Sequence, residues 1–123
     1  MADAERVVRH FCAAWETRDQ QRILDFFTDD AVYHNMPMQP AVGKDAIRAL
    51  LGFILGPASG VTFQITHLAA NGNVVLTERV DTFEMGGKTV TLPVMGAFEV
   101  RDGKIAAWRD YFDLATWTKQ TTG

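Results

Sequence analysis

Two turn signals constrain how the second half of this chain can fold. Gly86-Gly87 and Arg101-Asp102-Gly103 separate long segments whose side chains alternate between apolar and polar, the pattern of half-buried β-strands. Strands are expected over residues 61–69, 74–85, 88–100 and 104–112. Gly86-Gly87 offers two residues that accept positive φ, so it reads as a two-residue hairpin turn. That turn sets Phe83 opposite Val90, Asp81 opposite Leu92 and Arg79 opposite Val94. Read as a three-residue loop with Gly103 left-handed in a bulge, the second turn sets Val94 opposite Asp110 and Leu92 opposite Phe112. A plain two-residue turn at Asp102-Gly103 would flip Asp110 to the other face.

The register matters because charges ride on these apolar faces. In Thr77-Glu78-Arg79-Val80-Asp81-Thr82-Phe83, Arg79 and Asp81 share a face with Val75 and Phe83. In Ala107-Trp108-Arg109-Asp110-Tyr111-Phe112-Asp113, Trp108, Asp110 and Phe112 share a face. The expected register puts Arg79, Val94 and Asp110 in one row across three strands. Arg79 and Asp110 then stand two strand spacings apart, roughly 10 Å at the backbone. Long side chains close that gap above Val94, so one guanidinium fork can touch both carboxylates. Charges among apolar neighbours are costly unless paired, which leaves a buried salt bridge or an active site.

At 123 residues the chain is expected to form one domain, residues 1–123. Helices are expected over residues 3–17, 20–27 and 43–55, with a short strand over 31–35 and a helical turn over 113–119. Asp19 is placed to cap the second helix, Thr28-Asp29-Asp30 reads as a turn, and Gly56-Pro57 ends the third helix. Helices followed by a meander of long strands predict an α+β fold, a curved and mostly antiparallel sheet wrapped around the N-terminal helices. Pro93 and Gly96 fit that curvature as bulges or bends. The inside of such a cone is a natural apolar pocket.

A net charge of -3 without a Lys/Arg cluster argues against nucleic acid as a partner. No stretch approaches the ~20 apolar residues of a membrane span. The first residues show no signal peptide, and Cys12, the single cysteine, reads as a buried thiol. A reducing cytosol is the expected, cytoplasmic location. His10 and His67 are isolated and lack metal-ligand spacing. His34 points away from Tyr33 and Asn35, and Arg109 and Tyr111 alternate to the outer face. Trp108 either lines the pocket or fills core, as do Met36 and Met38 beside Pro37.

The chain resembles the limonene-1,2-epoxide hydrolase family of the NTF2-like, cystatin-like superfamily over nearly its whole length. The residues that carry the likeness are Asp30-Ala31-Val32-Tyr33-His34-Asn35-Met36-Pro37, Glu78-Arg79-Val80-Asp81, and Gly103-Lys104-Ile105 through Trp108-Arg109-Asp110-Tyr111-Phe112-Asp113. The resemblance implies an NTF2-like cone and one-step opening of an epoxide by an Asp-Arg-Asp triad. It implies that Asp110 is the base, Asp81 the acid, Arg79 the bridge, and Tyr33 and Asn35 the residues that hold the water. It also implies a homodimer joined through the convex sheet face, and no cofactor.

The chemistry fits these residue types. Water needs an ionised carboxylate to take its proton, and the leaving alkoxide needs an acid. Two carboxyls sharing one Arg supply both roles, because burial beside a like charge disfavours double ionisation. A phenol and an amide two apart on one strand can fix a water with Asp110 as third partner. Phe83, Leu92, Val94, Phe112, Leu51 and Ile54, with Trp108 if it faces inward, would supply apolar walls for substrate. The expected function is therefore addition of water to a small or medium apolar epoxide, with the epoxide and water as partners. Two alternatives stand beside it: an isomerase, cyclase or dehydratase of the same fold, and a non-catalytic ligand-binding or dimerisation module.

Overall fold

The computed structural model describes residues 3–122. Met1, Ala2 and Gly123, the ends of the expected single domain, lie outside the described residues. The first helix, α1 (Asp3–Ala14), continues into a 3₁₀ turn, Trp15–Thr17. Its buried stripe is Val8, Phe11, Cys12 and Trp15, the spacing that puts apolar side chains on one helical face. Arg18 then turns left-handed, with φ 56°. Asp19 caps α2 (Gln20–Leu24), its carboxylate accepting from the Arg22 amide at 3.1 Å, as its position predicts.

Helix α2 ends at Leu24, short of the expected residue 27, because Phe27 already belongs to β1 (Phe27–Asn35). The turn expected at Thr28-Asp29-Asp30 is instead an irregularity inside β1. Phe27 pairs with Ile105 and Val32 with Ala107, so the register slips across the two aspartates. A two-residue strand, β2 (Ala41–Val42), precedes α3 (Lys44–Leu55); it is too short for alternation to reveal. Four long strands follow: β3 (Ala58–Asn71), β4 (Val74–Met85), β5 (Lys88–Arg101) and β6 (Lys104–Tyr111). A last helix, α4 (Leu114–Thr122), buries no residue fully.

The architecture is α+β, with one six-stranded sheet in the order β2-β1-β6-β5-β4-β3. Every neighbouring pair is antiparallel except β1 and β6, which run parallel. The sheet curls around α1, and aromatic rings fill the inside. Phe11 meets Trp108 edge-on at 4.9 Å between centroids, and Phe26 and Phe27 at 5.4 Å each. Edge-to-face packing of this kind adds about 0.5–1.5 kcal/mol per pair beyond burial. No helix of the described residues is long and apolar enough to cross a membrane.

The β4–β5 hairpin has the expected register: Phe83 faces Val90, Asp81 faces Leu92 and Arg79 faces Val94. The β5–β6 hairpin differs. Asp102 and Gly103 both take positive φ, 52° and 76°, so this turn is a tight two-residue one and Arg101 pairs directly with Lys104. Alone it would flip Asp110 outward. A β-bulge corrects it: Val100 faces Ile105, but Glu99 faces Ala107, leaving Ala106 as the extra residue. The bulge returns Trp108 and Asp110 to the inner face and sets Asp110 opposite Gly96, not Val94. The β4–β5 ladder passes Pro93 and Gly96 without a register shift, so neither residue is the bulge its type suggested.

Candidate active site

Arg79 lies at the middle of β4, 1% exposed, with Thr77 and Asp81 flanking it on the same face. Its Nε donates to Asp81 Oδ1 at 3.0 Å and its Nη2 to Asp81 Oδ2 at 2.7 Å. Nη2 also donates to Asp110 Oδ2 at 2.7 Å, and Nη1 to Asp110 Oδ1 at 3.1 Å. Nη1 spends its remaining proton on Thr77 Oγ1 at 3.3 Å. A guanidinium has five N–H donors, so every one is used. Both carboxylates are held bidentate, the geometry in which Arg binds them most strongly. The guanidinium carbon lies 4.8 Å from the Phe63 ring centre and 5.8 Å from that of Trp108, within cation–π range.

Gly96 makes this arrangement possible, and no catalytic signal in the sequence points to it. A Cβ at Gly96 would lie 2.6 Å from Arg79 Nη1, 2.8 Å from Asp110 Oδ1 and 2.9 Å from Thr77 Oγ1. Its backbone φ is not in the left-handed region; the residue is glycine because the ion cluster occupies the space a side chain would take. Thr77, fully buried, was likewise unmarked, since a strand threonine carries no distinctive pattern.

The parallel pairing of β1 with β6 brings the other polar residues in. Tyr33 registers with Trp108 and Asn35 with Asp110. The Tyr33 ring stacks on Trp108 at 4.1 Å with planes 5° apart. Trp108 Nε1 donates to Asp110 Oδ1 at 2.6 Å, giving Asp110 three donors against two for Asp81. His34 turns the other way and bonds the Met38 carbonyl oxygen at 2.8 Å.

A cavity of about 120 Å³ opens beside the carboxylates. Tyr33, Asn35, Asp81 and Asp110 form its polar end, while Arg79 sits behind the carboxylates and does not line it. Of the expected apolar walls, Phe83, Leu92, Val94, Phe112 and Ile54 line the cavity. Leu51 and Trp108 do not, which corrects the expectation. Leu51 turns into the core of α3's inner face, leaving Leu50, Phe53 and Ile54 toward the cavity, and Trp108 is enclosed by Phe11, Phe98 and Tyr33. Trp15, Phe63, Leu114 and Trp117 complete the lining. They lie far apart in sequence, and only the curl of the sheet brings them together. Met38, Phe53 and Leu114 are exposed lining residues, Phe53 at 80%, and mark the mouth.

Burial sets the protonation of the site. Desolvation pushes the Asp81 carboxyl up to about 6, against the opposing pull of the Arg79 guanidinium and with the help of the Asp110 charge. Burial opposes charge on Arg79, but its two carboxylate partners outweigh it and keep the guanidinium firmly protonated. The Tyr33 phenol is driven far above its ordinary value, chiefly by burial and further by the Asp110 charge, so it stays neutral. Burial also raises the Cys12 thiol to about 12, making it an inert core residue.

A family model described as the limonene-1,2-epoxide hydrolase catalytic domain matches residues 2–123. Epoxide hydrolase EphG of Mycobacterium tuberculosis is 37% identical over 107 residues, spanning 87% of this chain and 71% of the relative. A solved M. tuberculosis LEH-like epoxide hydrolase superposes with a TM-score of 0.85 at 34% identity, covering 98% of this chain and 91% of that one. A putative SnoaL-like polyketide cyclase from Shewanella putrefaciens superposes with a TM-score of 0.88 at 16% identity, over 99% and 98% of the two chains. That likeness shows the fold alone.

Two substitutions test the cluster. Gly96→Ala forces a methyl against three buried atoms that cannot all retreat, and overpacking of this kind costs about 1–3 kcal/mol; a lower midpoint in denaturant melts is the expected result. For Asp81 the folded-state value is raised, so its stabilising share is complete below the unfolded value and is lost as pH rises through about 6. Asp81→Asn mimics the protonated form. Its stability relative to wild type is expected to rise between about pH 4 and pH 6.5, by something on the order of 2–3 kcal/mol. Paired thermal melts across that window check it.

Proposed function

This chain belongs to the limonene-1,2-epoxide hydrolase family, and from that premise we propose that it adds water to a small or medium apolar epoxide to give a vicinal diol. The observation that carries the reading is one buried guanidinium gripping two carboxyls at the polar end of an apolar cavity. Asp110 takes a proton from water, and the water oxygen attacks an epoxide carbon as it loses that proton. The carbon–oxygen bond of the ring breaks, and its electron pair takes the proton of Asp81. The new diol leaves Asp110 protonated and Asp81 ionised, and transfer of that proton from Asp110 to Asp81 completes the cycle. Arg79 stays charged throughout and fixes the spacing of the two carboxyls.

The division of roles follows from the surroundings. Asp81 is the group whose proton burial retains to about pH 6, as an acid near neutrality must. Asp110 neighbours Asn35 in register and Tyr33 by way of Trp108, so a water between them meets a phenol, an amide and a carboxylate. Water, two carboxyls and the guanidinium supply the whole reaction, and no cofactor takes part. The isomerase, cyclase and dehydratase alternatives leave the Tyr33 and Asn35 pair without a task.

Assembly and location complete the proposal. Leu76, Met95 and Tyr111 are exposed on the outer sheet face, where Met95 pairs with both Glu78 and Tyr111 and Leu76 pairs with Ala97. That apolar patch supports a homodimer through the convex face. A buried free thiol at Cys12 suits a reducing cytosol.

Hydrolysis of limonene oxide, cyclohexene oxide and styrene oxide in ¹⁸O-labelled water tests the reaction. Wild type is expected to form labelled diol from the first turnover, and Asp110→Asn to lose roughly 10²-fold or more. Unlabelled diol in the first turnover would mean a covalent ester on the enzyme and overturn the one-step route. Because Asp81 must carry its proton, kcat/KM is expected to fall as pH rises through about 6; a pH–rate profile flat from 5 to 8 would reassign the acid.

A further inference from the structure

Helix α4 is the cavity wall with the weakest hold on the core. It supplies Leu114 and Trp117 to the lining, yet it buries no residue fully, whereas α1 and α3 each bury several. Trp117 meets Phe83 edge-on at 5.4 Å, and the helix packs chiefly on β5. Phe112 and Asp113, a two-residue link, join it to β6. Asp113 caps its first turn, accepting from the Ala115 amide at 3.2 Å and the Thr116 hydroxyl at 2.8 Å. The helix is thus finished at its own start and tied to the sheet by a short pivot.

One side chain clasps this helix to the sheet. β6 ends at Tyr111, opposite Met95, so the part of β5 that precedes Met95 has no strand on its β6 side. Thr91 lies on that open edge. Gln120 Oε1 accepts from the Thr91 amide at 2.8 Å, and Gln120 Nε2 donates to the Thr91 carbonyl oxygen at 2.8 Å. The other Nε2 proton goes to the Thr116 carbonyl oxygen at 3.1 Å. The side-chain amide thus does for one residue what a neighbouring strand does for many. Covering an open edge accounts for the two bonds. That the covering helix is also a cavity wall ties the clasp to what the cavity admits, although Gln120 itself does not line it.

A ligand of any length needs a wall that gives. At about 120 Å³ the cavity holds a small molecule, whereas pockets that enclose a drug-sized ligand measure about 300–1,000 Å³. The strand walls and α3 are fixed by buried residues; α4 is not. We propose that α4 is a lid on this cavity, and that Gln120 is a positioning residue that sets the size of epoxide admitted. The epoxide part of this statement rests on the hydrolase reading above; the lid part does not. A short epoxide fits the closed form. A long one binds only the form in which α4 has swung off β5, so its apparent affinity is reduced by the fraction of molecules open. Loss of the clasp raises that fraction without altering a lining side chain.

The test measures kcat/KM for terminal epoxides from 1,2-epoxybutane to 1,2-epoxydodecane, with wild type and Gln120→Met. Methionine keeps the side-chain length and suits a helix, and it removes both bonds to Thr91. The ratio of kcat/KM for the longest epoxide to that for the shortest is expected to rise about tenfold, within the reach of two hydrogen bonds, with the gain carried by KM. An unchanged or lower ratio, or a rise carried by kcat alone, overturns the lid and leaves the hydrolase reading standing. If wild type hydrolyses no member of the series, the hydrolase reading fails, and the lid is read without turnover. Amide hydrogen exchange over residues 114–122 of the wild-type chain is then followed with 1-butanol or 1-decanol added. Faster exchange with decanol alone supports the lid, and any other pattern refutes it.

Discussion

Three ionisable side chains can stay buried beside an apolar cavity here because the Arg79 guanidinium leaves no donor idle. Four of its N–H groups go to Asp81 and Asp110 and the fifth to Thr77. Breaking one partner of such a cluster strands a charge in a medium that cannot solvate it. The surrounding structure answers to that requirement. Gly96 clears the space in which Arg79, Asp110 and Thr77 meet, and Trp108 pins Asp110 through Oδ1, the oxygen that also accepts from Arg79 Nη1. The bulge at Ala106 keeps Trp108 and Asp110 on the inner face despite a turn that would have turned them out.

The cluster also makes its two carboxyls unequal. Asp110 receives three donors and Asp81 two, and both share the same low-dielectric surroundings. Burial and the like charge of its neighbour raise Asp81 enough to hold a proton near neutral pH. In the proposed reaction Asp81 is the acid and Asp110 the base. The apolar walls serve the same end. In the proposed reaction they orient an apolar epoxide with its ring oxygen toward the carboxyls, and they limit the water that could weaken the electrostatics. The SnoaL-like neighbour shares this cone at 16% identity, and a fold does not by itself fix a chemistry. The chemistry lies in the side chains that line it.

Much of this was legible beforehand. The four long strands, the Gly86-Gly87 register and the shared face of Arg79 and Asp81 follow from alternation and turn chemistry, which are local. Asp110 was placed on the right face for a partly wrong reason. A left-handed Gly103 in a three-residue loop and a tight turn plus a bulge at Ala106 both return the strand to the same side, but two residues out of step. The row was therefore expected to run through Val94 when it runs through Gly96, and Gly96 was credited with bending the sheet rather than with clearing the ion cluster. From sequence Leu51 reads as a wall residue, because helical periodicity says which face is apolar, not which part of that face meets a cavity.

The sequence by itself determined the residue types, their pairing by face and the family to which they belong, because a period of two assigns faces whatever the exact register. Only the tertiary structure decided what stands beside what. Parallel pairing of β1 with β6 sets Tyr33 and Asn35 against Trp108 and Asp110, and no local signal announces a contact between strands so far apart in the chain. The curl of the sheet gathers Trp15, Phe63 and Trp117 onto one cavity. Whether a side chain such as Gln120 finds its partners depends on packing in three dimensions, where each neighbour's position is set by all the others.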